Sequence, residues 1–292
     1  MADIMTTGPT ARWSWALRLV TLALLAPISL FAAPPQRIVS MNVCTDQLLL
    51  SLVERKRIAS LSYIAADART SGIADQVGSI PLNRGIAEEI VALAPDFIVT
   101  AQFGFRSTVG MLRRLGYAVV ELPMAETLTD VAQNLRTLGT ALGVEAHAAE
   151  LARAFEQRLA RLTYNGSGER PLFVNYDANG WTTGQTGLLA DIVHRAGLST
   201  PGDRLGFAQS ARLTIEGLVL LRPPLMDLGY PWDDPPALAS EHRRHPAVQA
   251  VLRGTTVVDI PDSTWLCGTP QSLDALERLR NERAALISDD RP

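Results

Sequence analysis

Lysine is almost missing: Lys56 is the only one among 27 basic residues, and the remainder are arginine. Cysteine and histidine are equally sparse, with two and four in 292 residues, and the formal charge is −3. A mildly negative chain whose arginines are scattered rather than striped lacks the electrostatic footprint of a nucleic-acid-binding protein. His147, His194, His242 and His245 sit in separate helical or arginine-rich surroundings, not in the convergent pattern that a bare zinc or manganese site needs. No Gly-x-Ser-x-Gly elbow, His-Glu-x-x-His helix, phosphate loop or Gly-x-Gly-x-x-Gly turn occurs, so the enzyme classes those motifs mark have no foothold.

What is present begins with a leader. Arg12 and Arg18 precede the uncharged run 19–33, LVTLALLAPISLFAA, which Pro27 interrupts and small residues end. At about 15 residues it is shorter than the roughly 20 of a membrane-spanning helix, and no later run is comparably long and apolar. This is the layout of a secretory signal peptide over residues 1–33, cut near Ala32. Cys44 follows Met41-Asn42-Val43, not a lipoprotein-like setting, so a free periplasmic protein is expected. The remainder has room for two lobes of roughly 110 residues each with a connector.

From Arg37 onward short β-rich runs alternate with helical spacing. Strands are expected at 37–40, 58–61, 97–100 and 118–121, and helices at 46–53, 87–93, 106–115 and 127–142. Glu145–Leu162 contains no Gly, Pro or β-branched residue and favours one long helix. Tyr164-Asn165-Gly166-Ser167-Gly168 breaks it, after which strands at 172–175, 225–228 and 257–260 alternate with helices at 188–196, 214–220, 246–252 and 271–287. The expected class is α/β with parallel sheets. Ile86 to Ile98 and Thr214 to Met226 echo each other: a helix started through a glutamate, stopped by a proline, then a buried strand.

Ligands of open parallel sheets bind beyond the carboxyl ends of the strands. Those positions are aromatic here: Tyr63, Phe103, Phe105, Tyr176, Trp181, Tyr230, Trp232 and Trp265. Flat side chains gathered there suit a broad, partly apolar ligand such as a macrocycle or an aromatic chelate, against the plainer reading that each caps a lobe core. Arg84, in Asn83-Arg84-Gly85, is a candidate polar contact or a solvated cap. Cys44 and Cys267 each follow a strand in a different half. Three states compete: a disulfide contributing roughly 4 to 5 kcal/mol by closing a very long loop, thiols lining the ligand site, or inert cysteines. The Cα separation that decides between them is not legible from sequence.

Arg37-Ile38-Val39-Ser40, Cys44-Thr45-Asp46-Gln47-Leu48, Glu88-Glu89-Ile90-Val91-Ala92-Leu93-Ala94-Pro95-Asp96, the long helix and Trp265 near a final helix together resemble the periplasmic binding proteins for vitamin B12, ferric siderophores and haem. The likeness covers essentially the whole chain after the leader. It implies an N-terminal lobe at 34–143, a connecting helix at 144–163 and a C-terminal lobe at 164–292, with the ligand cleft between the lobes. It implies no intrinsic cofactor, a cobalt or iron chelate as ligand with a corrinoid ahead of a siderophore or haem, and a monomer that docks on the permease dimer of an inner-membrane ABC importer. The family's docking carboxylates match Glu88 and Glu216. From another class, the alternative is a periplasmic enzyme or chelatase-like protein acting on haem or a metal through Cys44 and Cys267.

Overall fold

Ile38-Val39-Ser40 and Phe97-Ile98-Val99 carry apolar or small side chains on both faces, as strands covered on both sides do. The computed structural model, which describes residues 33–229 and 238–289, sets them side by side at the centre of a parallel sheet. That sheet holds β1 (Ile38–Ser40), β2 (Ile58–Ser62), β3 (Leu82–Asn83), β4 (Phe97–Ala101) and β5 (Val119–Leu122) in the order β3-β2-β1-β4-β5. Ile38 stands opposite Ile58 on one side and Phe97 on the other. The crossovers are α1 (Val43–Leu52), α2 (Ala87–Ala92) and α3 (Arg106–Arg114), and α4 (Leu128–Leu142) leaves β5 through a capping box between Thr127 and Asp130. β3 was not expected, because two residues carry no periodicity to read.

Helix α5 (Glu145–Leu162) then carries the chain to the second sheet, over the range its composition predicts. Its buried residues, Ala148, Ala152, Phe155 and Leu159, recur every three or four positions and form one stripe. A Cβ on Gly139 of α4 would lie 2.1 Å from the Cβ of Ala148, so only glycine admits this close crossing.

The second half contains β6 (Phe173–Asn175), β7 (Trp181–Thr182), α6 (Leu188–Arg195), α7 (Pro201–Leu205), β8 (Ala211–Arg212), α8 (Ile215–Leu221), β9 (Leu225–Asp227), α9 (Pro246–Leu252), β10 (Thr256–Val257), α10 (Asp262–Trp265) and α11 (Ser272–Asp289). β10, β9 and β6 form a parallel sheet in that order, while β7 and β8 make a separate antiparallel pair that breaks the expected all-parallel rhythm. The strand expected at 257–260 pairs only at Thr256 and Val257.

The echoed segments fold alike. Helix α2 ends on Ala94 at φ 45° before Pro95, and α8 ends on Arg222 at φ 45° before Pro223. A following proline disfavours the right-handed helical region at the residue before it, and both chains leave the helix through the left-handed region instead.

The fold is thus α/β with two lobes, and one hydrophobic core runs through both. Ile38 and Val99 of the first sheet, Leu135, Ala152 and Phe155 of α4 and α5, and Leu189, Ile192 and Val193 of α6 belong to the same cluster as Phe173, Leu225 and Leu279. Pro34–Pro292 accordingly forms one compact unit. The leader, Tyr230 and Trp232 lie outside the described residues, apart from Ala33 at the leader's end. No described helix is long and apolar enough to cross a membrane.

Cys44 and Cys267 are joined, with Cα atoms 5.0 Å apart and a sequence separation of 223. This resolves the three states in favour of the disulfide. Closing so long a loop contributes about 5 kcal/mol through the entropy of the unfolded chain. Reduction, or Cys44→Ser with Cys267→Ser, is therefore expected to lower the melting temperature by about 10 °C while the circular dichroism of the folded state is retained, since the shared core still holds the lobes. An unchanged midpoint, measured by thermal unfolding with and without reductant, contradicts the clamp.

Candidate functional site

The order β3-β2-β1-β4-β5 changes direction between β1 and β4, and loops leaving adjacent strands on opposite courses open a crevice there. A cavity of about 280 Å³ fills this crevice, walled by Asn42, Val43, Cys44 and Thr45 after β1 and by Ala101 and Phe103 at the end of β4. A second cavity of about 420 Å³ lies against the other lobe, walled by Asn175 and Asp177 at the end of β6, by Trp181, Thr182 and Thr183, and by Trp265 of α10. Both are bounded by Met124, Ala125 and Leu266, so they meet at one ridge. The larger, and the two together, suit a small-molecule ligand, for which roughly 300–1,000 Å³ is usual. A hollow of about 430 Å³ between α8 and α9 opens instead beside Arg222, Pro223 and Thr255, which precede β9 and β10, at the end of the sheet where crossover loops do not converge.

Local chemistry holds the two walls. Asn42 caps α1 by accepting from the Cys44 N–H at 2.9 Å. Asp46, one turn on, is fully buried and accepts from the backbone N–H of Ser62 at 3.1 Å and from the Ser62 hydroxyl, which ties α1 to the end of β2. Burial pushes its carboxyl up to about 7, against the hydrogen bonds from Ser40 and Ser62 that favour the ionised form. The ends of β9 and β10 are acidic too. Burial also pushes Asp227, at the end of β9, up to about 7 and Asp262 up to about 6, and the neighbouring Asp177 adds to the shift of Asp262. Across the lobes, the Asp191 carboxylate of α6 accepts from the Leu128 N–H of α4 and from Arg195 Nε, both at 2.8 Å.

Cys44, Phe103, Trp181 and Trp265 meet around these cavities. Cys44 does so as half of a disulfide, and Cys267 is buried behind Leu266 and Gly268, so neither offers a thiol to a ligand or substrate. Tyr176 is a correction: it is fully buried in the core of the second lobe, its hydroxyl 3.4 Å from the Leu213 carbonyl and its ring edge-on to His242. The turn after β6 sends Tyr176 inward and Trp181, which is 47% exposed, outward. Tyr63 and Arg84 are exposed and line neither cavity, and Phe105 closes over Gly85, where a Cβ would come within 2.3 Å of its ring. Met124, Leu266, Glu126, Thr182 and Gln209 line the cleft without having been anticipated. Their signal was position alone: Met124 and Glu126 follow β5 as Phe103 follows β4.

A family model described as periplasmic binding protein matches residues 38–225. A cobalamin-binding protein of Halobacterium salinarum is 24% identical over 166 residues, 56% of this chain, and the chain spans only 45% of that protein's length. Among solved structures, the periplasmic haem-binding protein HutB of Vibrio cholerae matches with a TM-score of 0.70 at 16% identity, over 85% of this chain and 98% of that one. The periplasmic haem-binding protein RhuT of Roseiflexus sp. RS-1 matches with a TM-score of 0.69 at 17% identity, over 84% of this chain and 97% of that one.

The buried acids set a pH dependence. Asp46 and Asp227 hold their protons up to about 7 when folded, whereas an unfolded aspartate releases its proton near 4. Between those values the folded state binds protons that the unfolded state has lost. Stability is therefore greatest at the acid side of this window and falls as pH rises through about 7. Urea midpoints should drop from pH 5 to pH 8, and Asp46→Asn with Asp227→Asn should flatten the profile; a wild-type midpoint that rises over this interval contradicts the assignment.

Proposed function

This chain belongs to the periplasmic binding protein family, and we propose that its cleft captures a metal chelate, a corrinoid, ferric siderophore or haem, and presents it to an ABC importer of the inner membrane. The observation that carries the reading is the pair of cavities meeting at Met124 and Leu266, with Phe103, Trp181 and Trp265 on their walls. Aromatic faces flanking a crevice at strand ends match a flat, metal-filled ligand better than a small polar solute. The leader supports a periplasmic location. A reading as an enzyme using Cys44 and Cys267 loses its nucleophile, because both sulfurs are in the disulfide.

In this proposal Glu88 and Glu216 are the contacts to arginines of the permease. Each is exposed in the first turn of its helix, α2 or α8, at matching places in the echoed segments. A carboxylate is favoured at a helix start by the dipole alone. Backbone hydrogen bonding there and the Thr214 hydroxyl hold the Glu216 carboxyl below its usual range, so it is ionised at neutral pH. Two fixed negative charges, one on each lobe, provide the geometry and the salt-sensitive encounter of an electrostatic docking surface. The chain acts as a monomer on the permease dimer.

Titration of the purified protein with cobalamin, haem and ferric siderophores, followed by tryptophan fluorescence, tests the ligand class; binding of none below the micromolar range refutes it. Trp181→Ala should weaken binding about tenfold, the equivalent of an aromatic contact of roughly 1.4 kcal/mol, with little change in melting temperature because the residue is half exposed. Trp265→Ala should cost both affinity and stability, since that side chain also packs against the main core. Replacing Glu88 and Glu216 by Arg is expected to abolish transport and permease binding in vesicles while leaving ligand affinity in solution unchanged. Normal transport by the double variant removes the docking assignment and leaves the ligand reading intact.

A further inference from the structure

The cleft's polar lining is uneven in charge. Glu126 and Asp177 are its only charged side chains among the described residues, and both are carboxylates. Glu126 belongs to the first lobe and reaches the second, where its Oε2 would stand 3.9 Å from a Cβ on Gly187. Asp177 stands at the end of β6, and Asp227, Asp259 and Asp262 follow from the ends of β9 and β10 close enough to act on one another electrostatically. The basic residue at these strand ends, Arg243, donates to the Leu228 carbonyl and lies beside Gly229 and Asp177 without lining either cavity. With no basic side chain on its walls among the described residues, the lining that Glu126 and Asp177 form is negative.

The remaining polar lining of the second cavity is neutral: Asn175, Thr182, Thr183, Thr186, Gln209 and Ser210. The Thr183 hydroxyl donates to the Asn175 side-chain oxygen at 3.1 Å, and Gln209 donates to Thr186 at 3.1 Å. Thr182 is different. It is 2% exposed, lines the cavity, and its hydroxyl has no partner among the described residues. Buried hydroxyls are ordinarily paired, and an unpaired one in a residue that lines a cavity is a candidate partner for what enters.

Resting on the chelate reading above, we infer that this cleft is selective for charge: it takes neutral or cationic chelates whose rim carries amide or hydroxyl groups, one of them paired with Thr182, and rejects chelates whose rim carries carboxylates or whose overall charge is strongly negative. An anion brought beside Glu126 and Asp177 meets like charge in a partly desolvated cavity, where the repulsion is stronger than in water. An amide rim meets hydroxyls and carboxamides that both give and accept hydrogen bonds.

The test compares pairs of chelates of the same metal that differ in charge, using the purified oxidised protein. Cyanocobalamin, with carboxamide side chains, is set against cobyrinic acid, with carboxylates on the same ring. Cationic ferrioxamine B is set against trianionic ferric enterobactin. Within whichever pair binds, the neutral or cationic member is expected to bind about tenfold more tightly or better, with the gap narrowing as salt is raised. Glu126→Gln combined with Asp177→Asn should close most of that gap, and Thr182→Val should weaken the amide-rimmed ligand about fivefold without lowering the melting temperature. Equal or tighter binding of the anionic member overturns the charge inference while the chelate reading stands. Binding of none of the four removes both.

Discussion

The bond between Cys44 and Cys267 is the constraint on which the cleft depends. It joins the first turn of α1 to the loop between α10 and α11, two segments that wall the same cavity. Two α/β lobes linked through one chain segment are free to rock unless something else couples them. Here the coupling is covalent at the cleft and apolar behind it, where α4, α5, α6 and α11 share one core. Gly268, next to the bridge, packs so closely on Ala125 that a Cβ would come within 2.3 Å of its side chain, which holds the ridge between the cavities in contact from both sides.

A second dependence follows from that geometry. Because the walls are fixed at the strand ends, the charges there are fixed as well. Asp46 and Asp227 occupy comparable places, each buried at the carboxyl end of a sheet, and each is held with backbone N–H donors rather than with a cation. Their cost to stability is offset by what they order: Asp46 anchors the helix start that carries Cys44, and Asp227 accepts from Gly229 and Ile260, which position the loops after β9 and β10.

Much of this was legible in the chain. α5 runs over the predicted residues because nothing between Glu145 and Leu162 interrupts helix formation, and the central strands announced themselves as short apolar runs between turn residues. β3, β7 and β8 were not legible, since two-residue strands are made by tertiary pairing and leave no pattern. Of the aromatic residues that follow strands, Phe103, Trp181 and Trp265 line the two cavities and Tyr176 is buried in the core instead. Tyr176 and Trp181 share a loop, and which one turns inward is decided by the 3-10 turn at Ala178–Gly180, with Asn179 at φ 56°. Met124 and Leu266 carry no chemical mark that distinguishes them from core residues. The pairing of Cys44 with Cys267 required distance, which sequence does not contain.

The tether also bears on how a ligand leaves. A binding protein whose lobes part widely releases its cargo by opening, and its affinity is lowered by whatever closure costs. A cleft already held near one aperture avoids most of that cost, because the aromatic walls are in place before the ligand arrives. The same preorganisation slows release, since affinity gained this way resides mainly in the off-rate. Delivery then requires a partner that acts on both lobes at once and distorts a structure that resists distortion. In the proposed docking, Glu88 and Glu216, exposed on the echoed helices α2 and α8, are where such a partner would have purchase.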